Sequence, residues 1–177
     1  MDPARAAPLS LESVYREYFK SVWRVLRRLG VPPAQLDDAV QDVFLVVHRK
    51  LTSVDASSPL HGWIYAISVR VASDHRRRAG RRRSEPLDET LADPTPGPAR
   101  QSELLEDVRL LEALLAELDD KKREVFVLAE LEQLSATEIG AVLDVNCNTV
   151  YSRLRSARQQ FEAALLRRRA ASGRRQR

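Results

Sequence analysis

Between Ser84 and Ala99 the chain reads SEPLDETLADPTPGPA, a stretch with four prolines, several acids, no basic residue and no apolar period. Each proline lacks a backbone donor and pushes the residue before it towards extended backbone, so no helix is expected to run through it. The stretch cuts 177 residues into two blocks, neither long enough to build a large core of its own. Elsewhere apolar residues recur at helical spacing, and no segment alternates as a half-buried strand would. The expected fold is all-α, with two small helical bundles joined by a flexible linker. The boundaries fall at 10–80 for the first module, 81–101 for a basic then acidic, proline-rich linker, 102–168 for the second module and 169–177 for a basic tail.

In the first module Ser10 is a candidate N-cap, with Glu12 in the first turn and apolar positions at Tyr15, Tyr18, Val22, Val25 and Leu29. Gly30 supplies a C-terminal stop, and Pro32 and Pro33 prevent continuation. A second helix is predicted from about Ala34 to Leu51, with Leu36, Val40, Val43, Phe44, Val47 and Leu51 on one stripe. Asp37, Asp38, Gln41 and Asp42 gather near its start, where acids suit the helix dipole. After the polar loop TSVDASSPLH, Ser58 and Pro59 read as an N-cap and first helical residue. The third helix carries Trp63, Ile64, Ile67 and Val71 as far as about Ala79. Beyond the linker the helical period resumes at Leu104, Leu105, Val108, Leu111, Leu114, Leu115 and Leu118, stops at Asp119 and Asp120, and restarts with Val125, Leu128 and Leu131.

The net charge of +4 conceals a division. Arg70–Arg83 holds seven Arg against Asp74, a local +6, and Tyr151–Arg177 holds nine against Glu162, a local +8, so the remainder is acidic. Two separate cationic patches suit two contacts with a polyanion, because clustered Arg neutralises phosphates and releases condensed counterions. Solvated Arg-rich helix ends account for the same charge equally well. Lone Cys147 cannot close an intrachain disulfide, and three scattered His give no four-ligand zinc spacing, so no metal or cofactor is expected. With no apolar run of signal-peptide or membrane-spanning length, the expected setting is the cytoplasm.

The most informative stretch is Ser135 to Phe161, SATEIGAVLDVNCNTVYSRLRSARQQF. Ser135 and Glu138 have capping-box spacing, and Ile139 and Leu143 mark a short helix. Asp144, Val145 and Asn146 form the turn: Asp tolerates the left-handed conformation, Val145 can tuck inward, and Asn146 can cap the next helix. Gly140 lies where the two helices would cross. Val150, Leu154, Ala157 and Phe161 mark the buried side of the second helix, and Asn148, Tyr151, Ser152, Arg155 and Arg158 the opposite one. Amide and guanidinium groups at the start of such a helix can meet base edges in a major groove, with hydroxyls and cations around them for phosphates. The module is therefore expected to contain a helix-turn-helix. Cys147 in the first turn reads as a small residue rather than as a redox sensor.

DKKREVFVLAELEQLSATEIGAVLDVNCNTVYSRLRSARQQF resembles domain 4 of the extracytoplasmic-function (ECF) sigma factors, small bacterial initiation factors of RNA polymerase. DDAVQDVFLVV is similar to the core-polymerase-binding helix of domain 2 of the same family, and GWIYAISVRVASDHRRR resembles the helix that reads and melts the −10 promoter element. The order of these segments, with a tether between them, also agrees, and together they cover most of residues 10–168.

The resemblance implies a protein that binds core RNA polymerase and directs promoter-specific initiation, and not an enzyme. Its partners would be core polymerase, promoter DNA and an anti-sigma factor. Core polymerase would dock on Asp37, Asp38, Gln41 and Asp42, residues that a solvated helix start explains without any partner; Phe44 would support the helix from the core. Trp63 and Tyr65 would stand at the fork between duplex and melted strand, and Arg70, Arg76, Arg77 and Arg78 would follow the backbone. Burial against the first helix is an equal reading of Trp63, and Arg70 stands where the family often has Asn. For the −35 element the readers would be Asn148, Tyr151, Ser152 and Arg155, with Arg153 and Arg158 on the backbone. Asp144 replaces the Gly most common at this turn, and a slightly different helix angle is expected from it. The tether would correspond to the linker near the template strand, a role that a plain spacer fills as well.

Two other classes of function are open to the residues alone. A polymerase-independent regulator could use the same helix-turn-helix on an operator, although it would have no need of the Asp37–Arg78 stretch. A metal-dependent phosphotransferase would need Asp37, Asp38 and Asp42 to converge, yet neighbouring helix residues point about 100° apart.

Overall fold

The computed structural model describes residues 10–54, 60–82 and 99–175, except the side chains of 82, 99–105 and 172–175. Seven α-helices are described: α1 (Leu11–Arg28), α2 (Leu36–Lys50), α3 (Leu60–Arg82), α4 (Ala99–Leu115), α5 (Asp120–Phe126), α6 (Ala136–Leu143) and α7 (Cys147–Arg175). No strand occurs among the described residues. The predicted cap at Ser58 and Pro59 and most of the linker lie outside them. Both ends of the 81–101 segment are helical, since α3 continues to Arg82 and α4 begins at Ala99; α7 likewise takes in most of the basic tail.

Local chemistry sets the helix ends. Ser10 Oγ accepts from the Ser13 N–H at 3.1 Å and starts α1. At its other end Gly30 adopts φ +86°, and the Gly30 and Val31 N–H groups return to the carbonyls of Arg27 and Leu26. This is the left-handed glycine stop in which two orphan carbonyls are satisfied together. The start of α2 differs slightly from expectation: Pro33–Gln35 form a 3₁₀ turn before Leu36, and a second such turn, Leu51–Ser53, follows it.

The first module packs α1, α2 and α3 around Val22, Val25, Leu26, Val43, Val47 and Ile64, all fully buried. On α1 the inner position belongs to Val14, while Tyr15 is half exposed, a one-residue shift from the predicted stripe. His75 on α3 is buried, with Nδ1 3.2 Å from Gln35 Oε1 and Nε2 3.0 Å from Asp42 Oδ2, which ties α3 to the start of α2. In the second module Leu115, Val125, Leu128, Ile139, Val150 and Ala157 are buried, and the Phe126 and Phe161 rings stack at 4.7 Å. The predicted stripe on α4 does not extend to Val108, which is exposed.

Between α5 and α6 the backbone departs from regular helix. Val127–Leu131 form a π turn that closes with the Glu132 N–H on the Val127 carbonyl, and Gln133 then takes φ +58°. The helix-turn-helix follows as expected. Ser135 and Glu138 form a reciprocal capping box, Asp144 is left-handed at φ 54°, and Asn146 Oδ1 accepts from the Thr149 N–H at 2.8 Å. Gly140 serves the turn itself, because a Cβ there would stand 2.8 Å from the Val145 carbonyl oxygen.

The two modules are in contact and share one contiguous core, with α3 packed against α6. α3 therefore has two buried sides, and the sequence stripe of Trp63, Ile64, Ile67 and Val71 described only one of them. His61, Tyr65 and Arg76, one and then three turns apart, lie along the side facing the second module; each meets an acid there.

Two outcomes follow. Gly140→Ala drives a methyl group into backbone that cannot yield, and thermal melting of the full chain should show a loss of about 1–3 kcal/mol. The Glu138 carboxyl is held below its usual range by the Ser135 hydroxyl and N–H, and that of Asp119 by the Lys122 ammonium and N–H. Acids with lowered pKa stabilise the fold above their unfolded values and lose this as pH falls through the folded ones. The melting temperature should thus drop on acidification from about pH 5 towards 3, and Glu138→Gln, with no charge to lose, should show a shallower drop.

Candidate nucleic-acid interface

The exposed side of α7 begins one residue after its Asn146 cap. Asn148, Tyr151, Ser152 and Arg155 line a shallow groove together with Ser156 and Gln159. Tyr151 is 61% exposed. The opposite side is anchored by Val150 and Ala157, so the helix is fixed in rotation and these polar groups have no alternative direction. Ser152 Oγ donates to the Thr149 carbonyl at 3.0 Å, which leaves its lone pairs outward. Sequence reading missed Ser156 and Gln159, although they lie one turn beyond Ser152 and Arg155 on the same side.

Arg153 and Arg158 are placed differently. Arg158 forms an ion pair with Glu130 at 2.6 Å. Arg153 is half-buried and near enough to Glu124 to act on its carboxyl. Both Arg thus flank the groove from the acidic side of the module and do not line it.

On the first module the four residues at the start of α2 separate. Asp37, Asp38 and Gln41 are exposed, whereas Asp42 is turned onto His75. Asp37 and Gln41 stand at the rim of a groove of about 410 Å³ whose apolar wall includes Tyr15, Phe19, Phe44 and Leu45. The Tyr15 ring lies 4.7 Å from that of Phe44 and 5.1 Å from that of Phe19. Phe44 is buried, as expected. The apolar groove itself was not legible in the sequence, because Tyr15 was assigned to the core and Leu45 interrupts no pattern.

The residues expected at the −10 element divide in two. Arg70, Arg77 and Arg78 are exposed on α3, with Arg77 paired to Asp74, and Trp63 is half-buried against the core. Tyr65 and Arg76 are inside the contact between modules. Tyr65 is 7% exposed, and its hydroxyl donates to Glu132 Oε2 at 2.8 Å; burial and this carboxylate both push the phenol up. Arg76 donates to the Leu29 carbonyl at 2.6 Å and to Glu124 Oε1 at 2.9 Å, and its Nε lies 3.2 Å from Asp120 Oδ1. Burial pushes the Glu124 carboxyl up, and Arg76 partly counters it. Glu132, 3% exposed, also receives Arg28 at 2.8 Å and lies 3.9 Å from Arg24.

Among the described residues no group of His, Cys, Asp or Glu could hold a metal ion. No described helix is long and apolar enough to cross a membrane.

Comparison with known proteins matches residues 14–82 to Sigma-70 region 2 and residues 109–161 to Sigma-70, region 4. The chain is 33% identical over 165 residues to the ECF RNA polymerase sigma factor SigE of Mycolicibacterium smegmatis, covering 89% of this chain and 62% of that protein. It is 30% identical over 148 residues to the RNA polymerase sigma factor CnrH of Cupriavidus metallidurans, covering 78% of each. The solved structure of CnrH in complex with the cytosolic domain of CnrY superimposes with a TM-score of 0.67 at 25% identity, over 88% of this chain and 86% of that one. An all-helical pair of modules, a braced helix-turn-helix and both conserved-region matches lead to one conclusion: the chain belongs to the ECF sigma factors, which bind RNA polymerase and direct promoter-specific initiation.

Proposed function

We propose that this chain selects promoters by presenting the groove on α7 to the −35 element and the exposed side of α3 to the −10 element, while the start of α2 docks on core polymerase. The observation that carries this reading is the rotation of α7. Buried Val150 and Ala157 fix it so that Asn148, Tyr151, Ser152 and Arg155 face outward together. Asn148 and Arg155 supply the amide and fork geometries suited to base edges, and Tyr151 and Ser152 supply hydroxyls for bases or phosphates. Arg153 and Arg158 serve the phosphate backbone at the rim of this groove, Arg158 after exchanging Glu130 for a phosphate.

On α3, Arg70, Arg77 and Arg78 form a cationic track, and Trp63 and Tyr65 provide aromatic faces for unpaired bases. Arg76 belongs to the same track when it is free of the second module. Asp37, Asp38 and Gln41 form the polar edge of the polymerase contact, and the apolar wall beside them supplies buried area. Asp42 orients α2 through His75. CnrH forms a complex with CnrY, and by likeness this chain is restrained by an anti-sigma factor. It works in the cytoplasm, as an initiation factor without catalysis of its own.

Run-off transcription with purified core polymerase tests the reading: addition of the chain should produce start-site-selective transcripts, and unselective initiation would overturn it. Arg155→Ala should cost about 1–3 kcal/mol of discrimination at one base pair of the −35 site in competition binding by the holoenzyme. The double variant Asp38→Asn, Gln41→Ala should lose core binding in size-exclusion chromatography with its melting temperature unchanged. Unchanged affinity would remove the docking assignment.

A further inference from the structure

Tyr65 and Arg76 belong to the proposed −10 reading surface, yet both are engaged by acids of the second module. Glu132 takes the Tyr65 hydroxyl at 2.8 Å and Arg28 at 2.8 Å; Glu124 takes Arg76 at 2.9 Å. Arginine uses one fork geometry for carboxylate and for phosphate, so these carboxylates occupy the donors that a nucleic-acid backbone would otherwise occupy. We propose that the second module is an internal competitor for single-stranded DNA, in which Glu132 and Glu124 act as phosphate substitutes that latch over α3 and mask its −10 face. This inference rests on the −10 reading above.

Three further observations support a built latch over an incidental contact. Glu132 is 3% exposed, and an ion pair so enclosed is screened far less by salt than a surface pair. Arg123 joins the same seam, donating to the carbonyls of Leu115 and Leu118 at the end of α4, with its Nη1 3.4 Å from the Leu29 carbonyl at the end of α1. The apolar cores of the modules are continuous through it. The latch is selective, because the groove on α7 remains open while the −10 face is covered. The latched chain can therefore offer its duplex-reading helix but not its strand-capturing surface, and engagement of core polymerase must separate the modules.

The test uses the full chain with Glu132→Gln and Glu124→Gln, singly and together. Binding of a fluorescein-labelled single-stranded oligonucleotide of random sequence is measured by anisotropy, and binding of a random-sequence duplex in parallel. Unlatching should tighten single-strand binding by about tenfold or more, since apparent affinity scales with the competent fraction, and leave duplex binding unchanged. A variant that merely unfolds would lose duplex binding as well; energy transfer in the unmutated latch covers that case. Dyes at Arg49→Cys and Glu162→Cys in a Cys147→Ala background should transfer efficiently in the free chain and lose transfer when core polymerase is added. Unchanged single-strand affinity in variants that still bind duplex, or transfer unaltered by core polymerase, overturns the latch while selective run-off keeps the promoter reading. Loss of selective run-off in the unmutated chain overturns the promoter reading whatever the oligonucleotides show.

Discussion

A carboxylate removed from water costs several kcal/mol unless charges and hydrogen bonds replace what it loses. Glu132 meets that requirement only where Arg28 and Tyr65 converge on it from two different helices of the other module. Its position is itself set by the π turn, whose closing bond is made by the Glu132 N–H. The relation of the modules depends on this site: Arg76 and Arg123 complete the same seam on the carbonyls of Leu29, and Gly30 keeps room for the Arg123 guanidinium, which a side chain there would strike. Satisfied polar contacts and a continuous apolar core thus act together, each making the other affordable in free energy.

Local signals carried much of the fold. The Ser10 cap, the Gly30 stop, the Ser135–Glu138 capping box and the left-handed Asp144 are short-range chemistry, decided within four residues of chain, and all stand in the structure where the sequence put them. The outward residues of α7 were legible for a related reason, since a buried stripe at helical spacing determines what lies opposite. Periodicity failed where a helix is buried twice. α3 has one side for its own module and another for the second, and a single stripe describes only the first; Tyr65 and Arg76 belong to the other.

The remaining differences have the same origin in long-range contact. Asp42 read as one of four equivalent acids, and only the arrival of His75 from 33 residues away sets it apart. Arg158 gave no sign of Glu130, nor Tyr65 of Glu132, because helical spacing holds no information across a proline-rich gap. The π turn was equally silent: Val125, Leu128 and Leu131 fit a regular helix as well as the widened one observed. The family resemblance, in contrast, rests on ordered motifs and survives these local surprises, which alter what individual side chains touch and not what the helices are.

α7 is one unbroken helix of 29 residues, about 43 Å at 1.5 Å per residue. Its base-reading end and its arginine-rich end are therefore a single rigid lever. Arg167 and Arg168 grip Glu117 beyond the end of α4 and act as the fulcrum. Whatever binds the far arm, protein or nucleic acid, transmits a tilt to Asn148 and Arg155 without touching them, so the pitch at which this helix enters a groove is adjustable from a distance.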